Sequence, residues 1–416
     1  MNFNTQLLHG KSVGAYSFGA TLPSISQVSA YTYETSELLE KVCQNKAAGF
    51  AYTRIGNPTV AAFERRICEM EGGFSAPACA SGLSAVVFSL LNILQSGDEI
   101  IASSGVFGGT IDVFRDLLNF GIKVHYVSYL SEETIAPLLN ENTKAVFGEV
   151  ISNPGLDVID VSAVAAFVHT HQIPLMLSSS LTSFSTRSMS GPSWFMADVV
   201  VHSSSKYING SGNSIGGVIV DGGKFRWDPK RYPVLAEYKK FGPAAYTARL
   251  KNDTLRNFGS CMAPMNAYLN TVGLETMGLR VQKECENAFA LAKALVQMPD
   301  VTVNYPLLET SSYQKLATEQ FGGYGGAILS LRVGSKERAY RLMNQLKFAH
   351  IATNIGDLRT LVIHPASTIY IHSTEEMMHA AGVYDDLIRV SVGIEDVQDL
   401  IADFIEAIAY ADKEAE

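Results

Sequence analysis

The sequence has few cysteines and few charged side chains, and each scarcity excludes a class of protein. The five cysteines among 416 residues are odd in number, scattered, and without a Cys-x-x-Cys pair. We therefore expect neither a disulfide framework nor a zinc or other metal site. Charged residues make up 18% of the chain and the formal net charge is −9. This acidic balance argues against nucleic acid or an anionic membrane as a partner.

Long hydrophobic runs are also missing. No uninterrupted apolar stretch approaches the roughly 18 residues of a membrane span, and residues 1–6 lack the basic start and apolar core of a signal peptide. We therefore expect a cytoplasmic protein with no membrane partner. The length suffices for two domains with substantial cores, because domains commonly contain about 100 to 200 residues.

Apolar strand candidates alternate with helical stretches in the first two thirds of the chain. The strand candidates are 99–103, 123–129, 144–150, 174–177, 198–203 and 214–220. This alternation predicts an α/β fold with a mostly parallel sheet wrapped by helices. Residues 1–58 show no sustained period and are interpreted as an extended N-terminal arm.

A second region follows. Helical periodicity at 264–298 precedes strand candidates at 326–333 and 387–392 and a final helix that begins at Val397. The sequence therefore predicts three parts, which are an N-terminal arm at 1–58, a large domain at 59–260 and a C-terminal domain at 261–416.

Lys206 is the most informative residue of the chain. It comes just after the apolar segment 198–201, so it lies near the carboxyl end of a predicted buried strand, where α/β folds open onto a ligand crevice. Burial lowers the pKa of an amine from about 10.4, as a Schiff-base lysine requires. Ser203 and Ser205 add hydroxyl groups that can hold a phosphate. This combination indicates pyridoxal 5'-phosphate (PLP) chemistry, and the structural alternative is a lysine that caps a strand end.

Two further segments suit a phosphate. Ser81 and Gly82 fall where an apolar helix begins, and the unpaired N–H groups of a helix start bind anions. An ordinary serine N-cap explains the same pattern. Tyr52 and Arg54 lie in a loop punctuated by Gly and Pro, and a guanidinium with a phenol suits a phosphate dianion. An exposed loop arginine is the structural alternative.

Ordered motifs extend over nearly the whole chain. They are 52–59 (YTRIGNPT), 71–73 (EGG), 81–82 (SG), 107–110 (FGGT), Glu149 with 153–154 (NP), 203–207 (SSSKY), 364–367 (HPAS) and 389–396 (RVSVGIED). Their order resembles that of the Cys/Met-metabolism PLP-dependent enzymes, the cystathionine γ-synthase-like family. Segments 214–221, 241–245, 354–357 and 360–365 are most similar to the O-acetylhomoserine sulfhydrylases of that family.

The resemblance implies a fold, a cofactor and an assembly. The fold is PLP-dependent transferase fold type I, like that of aspartate aminotransferase. In it a large domain with a mostly parallel seven-stranded sheet precedes a smaller C-terminal α+β domain. The cofactor is PLP, bound to Lys206 as a Schiff base. The residues that hold its phosphate are Ser81, Gly82, Leu83, Ser203 and Ser205, with Tyr52 and Arg54 reaching it from a neighbouring subunit. The assembly is therefore a homo-oligomer, and family analogy implies a dimer of dimers.

The resemblance also implies residues for the cofactor ring and the substrate. Phe107 stacks on the ring, Asn153 lies near its phenolic oxygen, and Ser178 faces its nitrogen. Arg389 binds the substrate carboxylate, because the guanidinium fork suits a planar anion, and Asn354 lies beside it. Lys206 additionally moves protons between the substrate carbons.

The chain departs from the family pattern in three places around the ring. Ser178, in the segment 178–180, stands where the family has an aspartate that pairs with the protonated ring nitrogen. An opposite charge raises the pKa of a cation by about 1 to 3 units, so with serine we expect a largely neutral nitrogen. Phe107 replaces a tyrosine and keeps the stacking but lacks a hydroxyl for proton transfer. Residues 209–212 (NGSG) replace Gly-Gly-His-Gly.

The resemblance implies γ-replacement on O-acetylhomoserine, or a related O-acylated homoserine, by a sulfur nucleophile to give homocysteine. The alternatives within catalysis are a cystathionine γ-synthase and a β- or γ-lyase. A non-enzyme alternative is a PLP-binding homologue that has lost turnover and has a regulatory role. The expected partners are an amino-acid substrate and a sulfur donor, and nothing in the sequence indicates a sulfur-carrier protein.

Replacing Lys206 with alanine tests the Schiff-base assignment. Borohydride reduces a PLP Schiff base to a stable amine, so the wild-type protein should acquire a covalent adduct that Lys206→Ala does not acquire. Mass spectrometry of the reduced proteins measures and locates the adduct. A reducible adduct on another lysine of the variant would refute the assignment.

Overall fold

Helices and strands alternate along the part of the chain that the computed structural model describes, which is residues 2–11, 16–179 and 196–413. The α-helices there are α1 Phe3–His9, α2 Ser36–Cys43, α3 Pro58–Glu71, α4 Gly82–Leu91, α5 Gly108–Leu117, α6 Glu132–Ile135, α7 Val161–Thr170, α8 Ala245–Arg249, α9 Leu255–Phe258, α10 Pro264–Leu295, α11 Gln314–Phe321, α12 Lys336–Gln345, α13 Glu375–Ala380 and α14 Val397–Lys413. The strands are β1 Ala78–Cys79, β2 Glu99–Ser103, β3 Lys123–Val127, β4 Thr143–Glu149, β5 Leu175–Ser178, β6 Val199–Ser203, β7 Gly217–Asp221, β8 Thr302–Asn304, β9 Ile328–Arg332, β10 His350–Ile351, β11 Leu361–Ile363 and β12 Leu387–Ser391.

The strands form two sheets. A seven-stranded sheet has the order β1-β7-β6-β5-β4-β2-β3, and a five-stranded sheet has the order β10-β11-β12-β9-β8. In the larger sheet β2 pairs in parallel with β3 and β4, and β4 pairs in parallel with β5, whereas β7 runs antiparallel to β1 and β6. The prediction of an α/β protein of fold type I with a mostly parallel seven-stranded sheet is confirmed, and the smaller second sheet is consistent with it.

Contacts between Cα atoms divide the chain into two compact units that interleave along the sequence. Unit 1 is drawn from residues 1–95, 198–209 and 213–276, and unit 2 from residues 96–197, 210–212 and 277–416. The sequence-based division at residues 58 and 260 stays a prediction, since it concerns consecutive segments rather than these interleaved units.

In unit 1, helix α3 shows why the residues after the Tyr52–Arg54 loop are helical. The Asn57 side chain accepts hydrogen bonds from the N–H groups of Thr59 and Val60, and Pro58 occupies the first turn, where it needs no N–H partner. Phe63, Ile67 and Met70 recur at helical spacing and are buried. The helix ends at Gly72, whose φ of 66° is the left-handed conformation that glycine adopts without strain.

In unit 2, strands β2, β4 and β5 are apolar on both faces. Ile100, Ile101, Val146, Phe147 and Leu175 are all fully buried. Continuous apolar runs of this kind are typical of parallel strands that helices cover on both sides. Polar residues are left at the carboxyl ends, where β2 ends at Ser103, β4 at Glu149 and β5 at Ser178.

The five-stranded sheet lies wholly in unit 2 and positions Arg389. Strand β12 occupies the centre of this sheet, antiparallel to β9 and β11. Arg389 is the middle residue of β12 and pairs with Ser330 on one side and Ile363 on the other. Its backbone is therefore fixed by two neighbouring strands.

The N-terminal arm contains regular structure that the sequence did not predict. Residues 3–9 and 36–43 are helical, and the Thr35 side chain caps α2 by accepting a hydrogen bond from the Leu38 N–H. These helices contain seven and eight residues, which is too short for a period to stand out. Among the described residues, no helix is both long and apolar enough to cross a bilayer.

Candidate active site

Lys206 lies in the turn that follows β6 in unit 1. The turn is tied to the segment before β7, because the Ser204 N–H donates to the Gly216 carbonyl at 3.0 Å and the Gly216 N–H donates to Ser205 Oγ at 3.0 Å. The Lys206 N–H donates to the Ser203 carbonyl at 3.2 Å. Lys206, Ser203 and Ser205 are half-buried. Lys206 thus lies near the carboxyl end of a strand, as the sequence predicted.

The start of helix α4 meets the end of β6 in the same unit. Ser81 is the N-cap of this helix, and its side chain accepts a hydrogen bond from the Ser84 N–H at 3.1 Å. A Cβ atom added to Gly82 would lie 2.5 Å from the Ser203 Cβ, so only glycine permits this approach. The helix N-terminus therefore stands beside Ser203, and the N–H groups of a helix start suit the phosphate of PLP. Leu83 has an exposed side chain, which leaves its backbone N–H as the group for an anion.

Tyr52 and Arg54 are exposed on unit 1 and contact each other. The guanidinium carbon of Arg54 lies 5.5 Å from the centroid of the Tyr52 ring, and its Nη1 donates to the Arg256 carbonyl at 2.6 Å. Buried Asn57 holds the loop, since its amide donates to Thr53 Oγ1 at 3.1 Å and to the Ser26 carbonyl at 2.8 Å. The structure thus joins the predicted Tyr52 and Arg54 as a pair, with Arg256 as the further contact of the guanidinium.

Three of the predicted residues come together in unit 2, namely Arg389, Asn153 and Asn354. The guanidinium is buried; its Nη1 donates to Asn153 Oδ1 at 3.2 Å and its Nη2 donates to the Asn354 carbonyl at 3.0 Å. Asn153 is also buried. The two oxygens fix the orientation of the buried guanidinium, whose fork geometry suits a planar anion.

Tyr370 belongs to this cluster and was missed by the sequence analysis. Its buried hydroxyl lies 3.1 Å from both the Val106 and the Asn153 carbonyls and joins the two segments. Burial raises the pKa of Tyr370 above its usual value, and the nearby Glu149 carboxylate acts in the same direction while Arg389 opposes it. No pattern signals this role, because Tyr370 lies 217 residues from Asn153 along the chain.

Glu149 neighbours two of the predicted ring residues of unit 2, Phe107 and Ser178. Its Oε1 accepts a hydrogen bond from the Phe107 N–H at 3.1 Å, and Glu149 pairs in register with Ser178 across β4 and β5. Burial raises the pKa of Glu149 to about 8, and the Phe107 N–H opposes that shift. Ser178 is half-buried, and Ser180 lies outside the described residues. Glu149 could have been singled out from the sequence because it is a carboxylate at the end of an apolar strand. The sequence analysis included it in a motif but assigned it no role.

Residues 209–212 (NGSG) stand where the family has Gly-Gly-His-Gly, and the structure shows which of these positions can vary. Gly210 and Gly212 have φ values of 73° and 66°, which disfavour other residues, and a side chain at Gly210 would collide with the Arg280 guanidinium. The amide of Asn209 donates to Asn213 Oδ1 at 2.9 Å. The two glycines are thus required by geometry, while positions 209 and 211 carry the difference from the family.

Comparison with known proteins identifies the family. The sequence matches the family described as Cys/Met metabolism PLP-dependent enzyme over residues 4–409, which is most of the chain. The chain belongs to this family. It is therefore a PLP-dependent enzyme, and the phosphate-binding geometry at Gly82 and the lysine after β6 fit that cofactor.

Relatives within the Cys/Met metabolism family are similar over nearly their full length. The homocysteine synthase of Schizosaccharomyces pombe is 37% identical, with 99% of each chain covered. The O-acetyl-L-homoserine sulfhydrylase of Corynebacterium glutamicum is 34% identical, with 96% of this chain and 95% of that protein covered.

A solved structure matches the fold. A crystal structure described as an O-acetylhomoserine (thiol)-lyase of Campylobacter jejuni has a TM-score of 0.90 and 30% identity, and covers 98% of this chain and 100% of that one. That protein contains a pyridoxyl-lysine monophosphate.

Replacing Gly82 with alanine should weaken PLP binding. The new Cβ must displace Ser203, which is proposed to hold the phosphate, and the loss of one hydrogen bond to a charged group costs about 1.5 to 3 kcal/mol, which corresponds to a roughly 10- to 150-fold lower affinity. Titration of the apoprotein with PLP, followed by absorbance, measures the change. Thermal unfolding of the apoprotein is the control for general damage. An unchanged dissociation constant would show that the helix start does not hold the cofactor.

Proposed function

We propose that this enzyme replaces the acyl group of O-acetylhomoserine, or of a closely related O-acylated homoserine, with a sulfur nucleophile. The C–O bond at Cγ breaks and releases the carboxylate, the C–S bond forms, and homocysteine results when the nucleophile is sulfide. The names of the relatives in Schizosaccharomyces pombe, Corynebacterium glutamicum and Campylobacter jejuni support this reaction.

The single observation that carries the proposal within this chain is the buried Arg389. An amino-acid substrate presents an α-carboxylate, and a guanidinium recognises a carboxylate through two parallel N–H donors. Asn153 and Asn354 orient the Arg389 fork through their oxygens. We assign to Arg389 the binding of that carboxylate and to Asn354 a supporting position beside it.

Lys206 is proposed as the residue that holds PLP and moves protons. PLP, when bound, stabilises the negative charge that develops on substrate carbons next to the amino group. The protons that leave and return there need an acid-base group. Phe107 has no ionisable group, and the Tyr370 hydroxyl contacts the Val106 and Asn153 carbonyls. We assign these transfers to the amine of Lys206, as the family resemblance implies, and the holding of the phosphate to Ser81, Gly82, Leu83, Ser203 and Ser205.

An assay with O-acetylhomoserine and sulfide tests the reaction. We expect homocysteine to accumulate, whereas a lyase would release α-ketobutyrate without sulfide, and a homologue without turnover would form neither. Arg389→Ala should lower kcat/KM roughly 10- to 150-fold, because a charge-assisted hydrogen bond contributes about 1.5 to 3 kcal/mol.

Arg115→Ala is a matched control for the Arg389 variant, since Arg115 forms an exposed ion pair with Asp112 on α5. This substitution should leave kcat/KM close to the wild-type value, because exposed ion pairs contribute little. The assignment of Arg389 fails if both variants retain the wild-type rate.

We further propose that the enzyme is a homodimer, paired into a dimer of dimers, in which Tyr52 and Arg54 act in the neighbouring subunit. Both side chains are exposed on this chain, as residues that reach into a second subunit must be. A symmetric dimer then contains two equivalent composite sites.

Mixing two inactive variants tests this sharing. Arg54→Ala and Lys206→Ala subunits should recover about a quarter of the wild-type activity, because about half of the dimers are mixed and each has one intact site. Activity after joint refolding is measured against each variant alone. No recovery in demonstrated mixed dimers would place Arg54 in its own subunit's site or outside it.

A further inference from the structure

The strand ends of unit 2 offer one acid near the position where the family aspartate is missing. Strands β2, β3, β4 and β5 end at Ser103, Val127, Glu149 and Ser178, so among these described strands only β4 ends with an ionisable group. Ser178 is the residue that the sequence aligns with the aspartate that pairs with the ring nitrogen. The sequence-based expectation of a neutral nitrogen considered that position alone.

The geometry of β4 and β5 brings Glu149 next to Ser178. The two residues are register partners on parallel strands, and the Val150 N–H donates to the Ser178 carbonyl at 3.0 Å. Neighbouring strands lie about 4.8 Å apart, and register partners project their side chains to the same face of the sheet. A glutamate side chain is two bonds longer than that of serine, so the carboxyl extends beyond the Ser178 hydroxyl.

A second contact fixes Glu149 to the other ring residue. Its Oε1 accepts the Phe107 N–H at 3.1 Å, and Phe107 is the residue assigned to stack on the PLP ring. Glu149 is therefore the register partner of Ser178, and its carboxyl accepts a hydrogen bond from the backbone of Phe107. We propose that Glu149 supplies the acid that position 178 lacks, and that its carboxyl sets the protonation of the PLP ring nitrogen.

The proton balance of this arrangement is simple. A carboxylic acid beside a neutral pyridine and a carboxylate beside a pyridinium contain the same proton, which moves from a Glu149 oxygen to the ring nitrogen with the total charge unchanged. Burial raises the pKa of Glu149 to about 8 because the buried carboxylate lacks hydration, and a pyridinium beside it would supply the positive charge that stabilises the carboxylate form. The Ser178 hydroxyl can accept one hydrogen bond and donate another, so it can connect the two groups.

One other titratable side chain interacts with the same carboxyl. Tyr370 interacts electrostatically with Glu149 and with Arg389. The tyrosine is buried and its raised pKa keeps it neutral, so it adds no charge beside the carboxyl.

The inference rests on the proposed function, because it concerns the ring of the same cofactor, but its test needs no turnover. The holoenzyme is loaded with ¹⁵N-labelled PLP, and the NMR shift of the ring nitrogen is followed with pH. We expect a protonated nitrogen at neutral pH in the wild type. Glu149→Gln should lower the pH midpoint of that signal by about 1 to 3 units.

The choice of glutamine separates this role from a structural one. Its amide oxygen can still accept the Phe107 N–H, so loss of anchoring alone would leave the midpoint unmoved. Adding Ser178→Asp to Glu149→Gln should restore the wild-type midpoint. Glu149→Asp should lower the midpoint by less than Glu149→Gln does. Glu133→Gln, an exposed change on α6, is the control and should not alter the signal.

Two outcomes would overturn the inference. A wild-type ring nitrogen that stays neutral over the whole pH range in which the protein is folded excludes Glu149 as its acid, without recourse to any variant. A protonated nitrogen whose midpoint is unchanged in Glu149→Gln assigns the proton to another group. If the enzyme forms no homocysteine but the midpoint still depends on Glu149, the proposed reaction is overturned and the inference stands.

Discussion

The burial of parallel strands on both faces is the constraint on which the rest of the molecule depends. A strand such as β4 has no solvent face, so a polar side chain within it would lose hydration without a partner. Polar and ionisable groups are therefore found at the strand ends, where Glu149 and Ser178 lie in unit 2 and Ser203 and Lys206 in unit 1. These four residues lie where apolar segments end, whereas Arg389 lies in the middle of β12.

This constraint explains how much of the fold could be predicted from the sequence. Strand β2 was predicted at 99–103 and α10 was predicted to begin at Pro264, and both are observed there. Long apolar or periodic segments can be recognised in the sequence because their hydrophobic pattern follows from their burial. Strands β10 and β11 were missed as separate elements since two or three residues carry no pattern. The N-terminal helices were missed for the same reason.

The candidate site was predictable in part. Lys206 and Arg389 could be found because each follows or interrupts an apolar strand, and family motifs added the residues around them. The hydrogen bond between Arg389 and Asn153 joins positions 236 residues apart, and that of Glu149 with Phe107 spans 42 residues. Such contacts depend on how the strands are ordered in the sheet, which local patterns do not encode. For that reason the sequence located Ser178 as a departure and did not reveal the acid beside it.

The hydrogen bond from Arg54 to the Arg256 carbonyl has a consequence for assembly. In the proposed dimer, the guanidinium can keep this bond through one of its five N–H donors and use other donors for a phosphate in the neighbouring subunit. By linkage, a ligand that strengthens subunit association is itself bound more tightly by the associated subunits, to the same extent. In the proposed dimer, PLP held by residues of both subunits would therefore strengthen their association, and removal of PLP would weaken it.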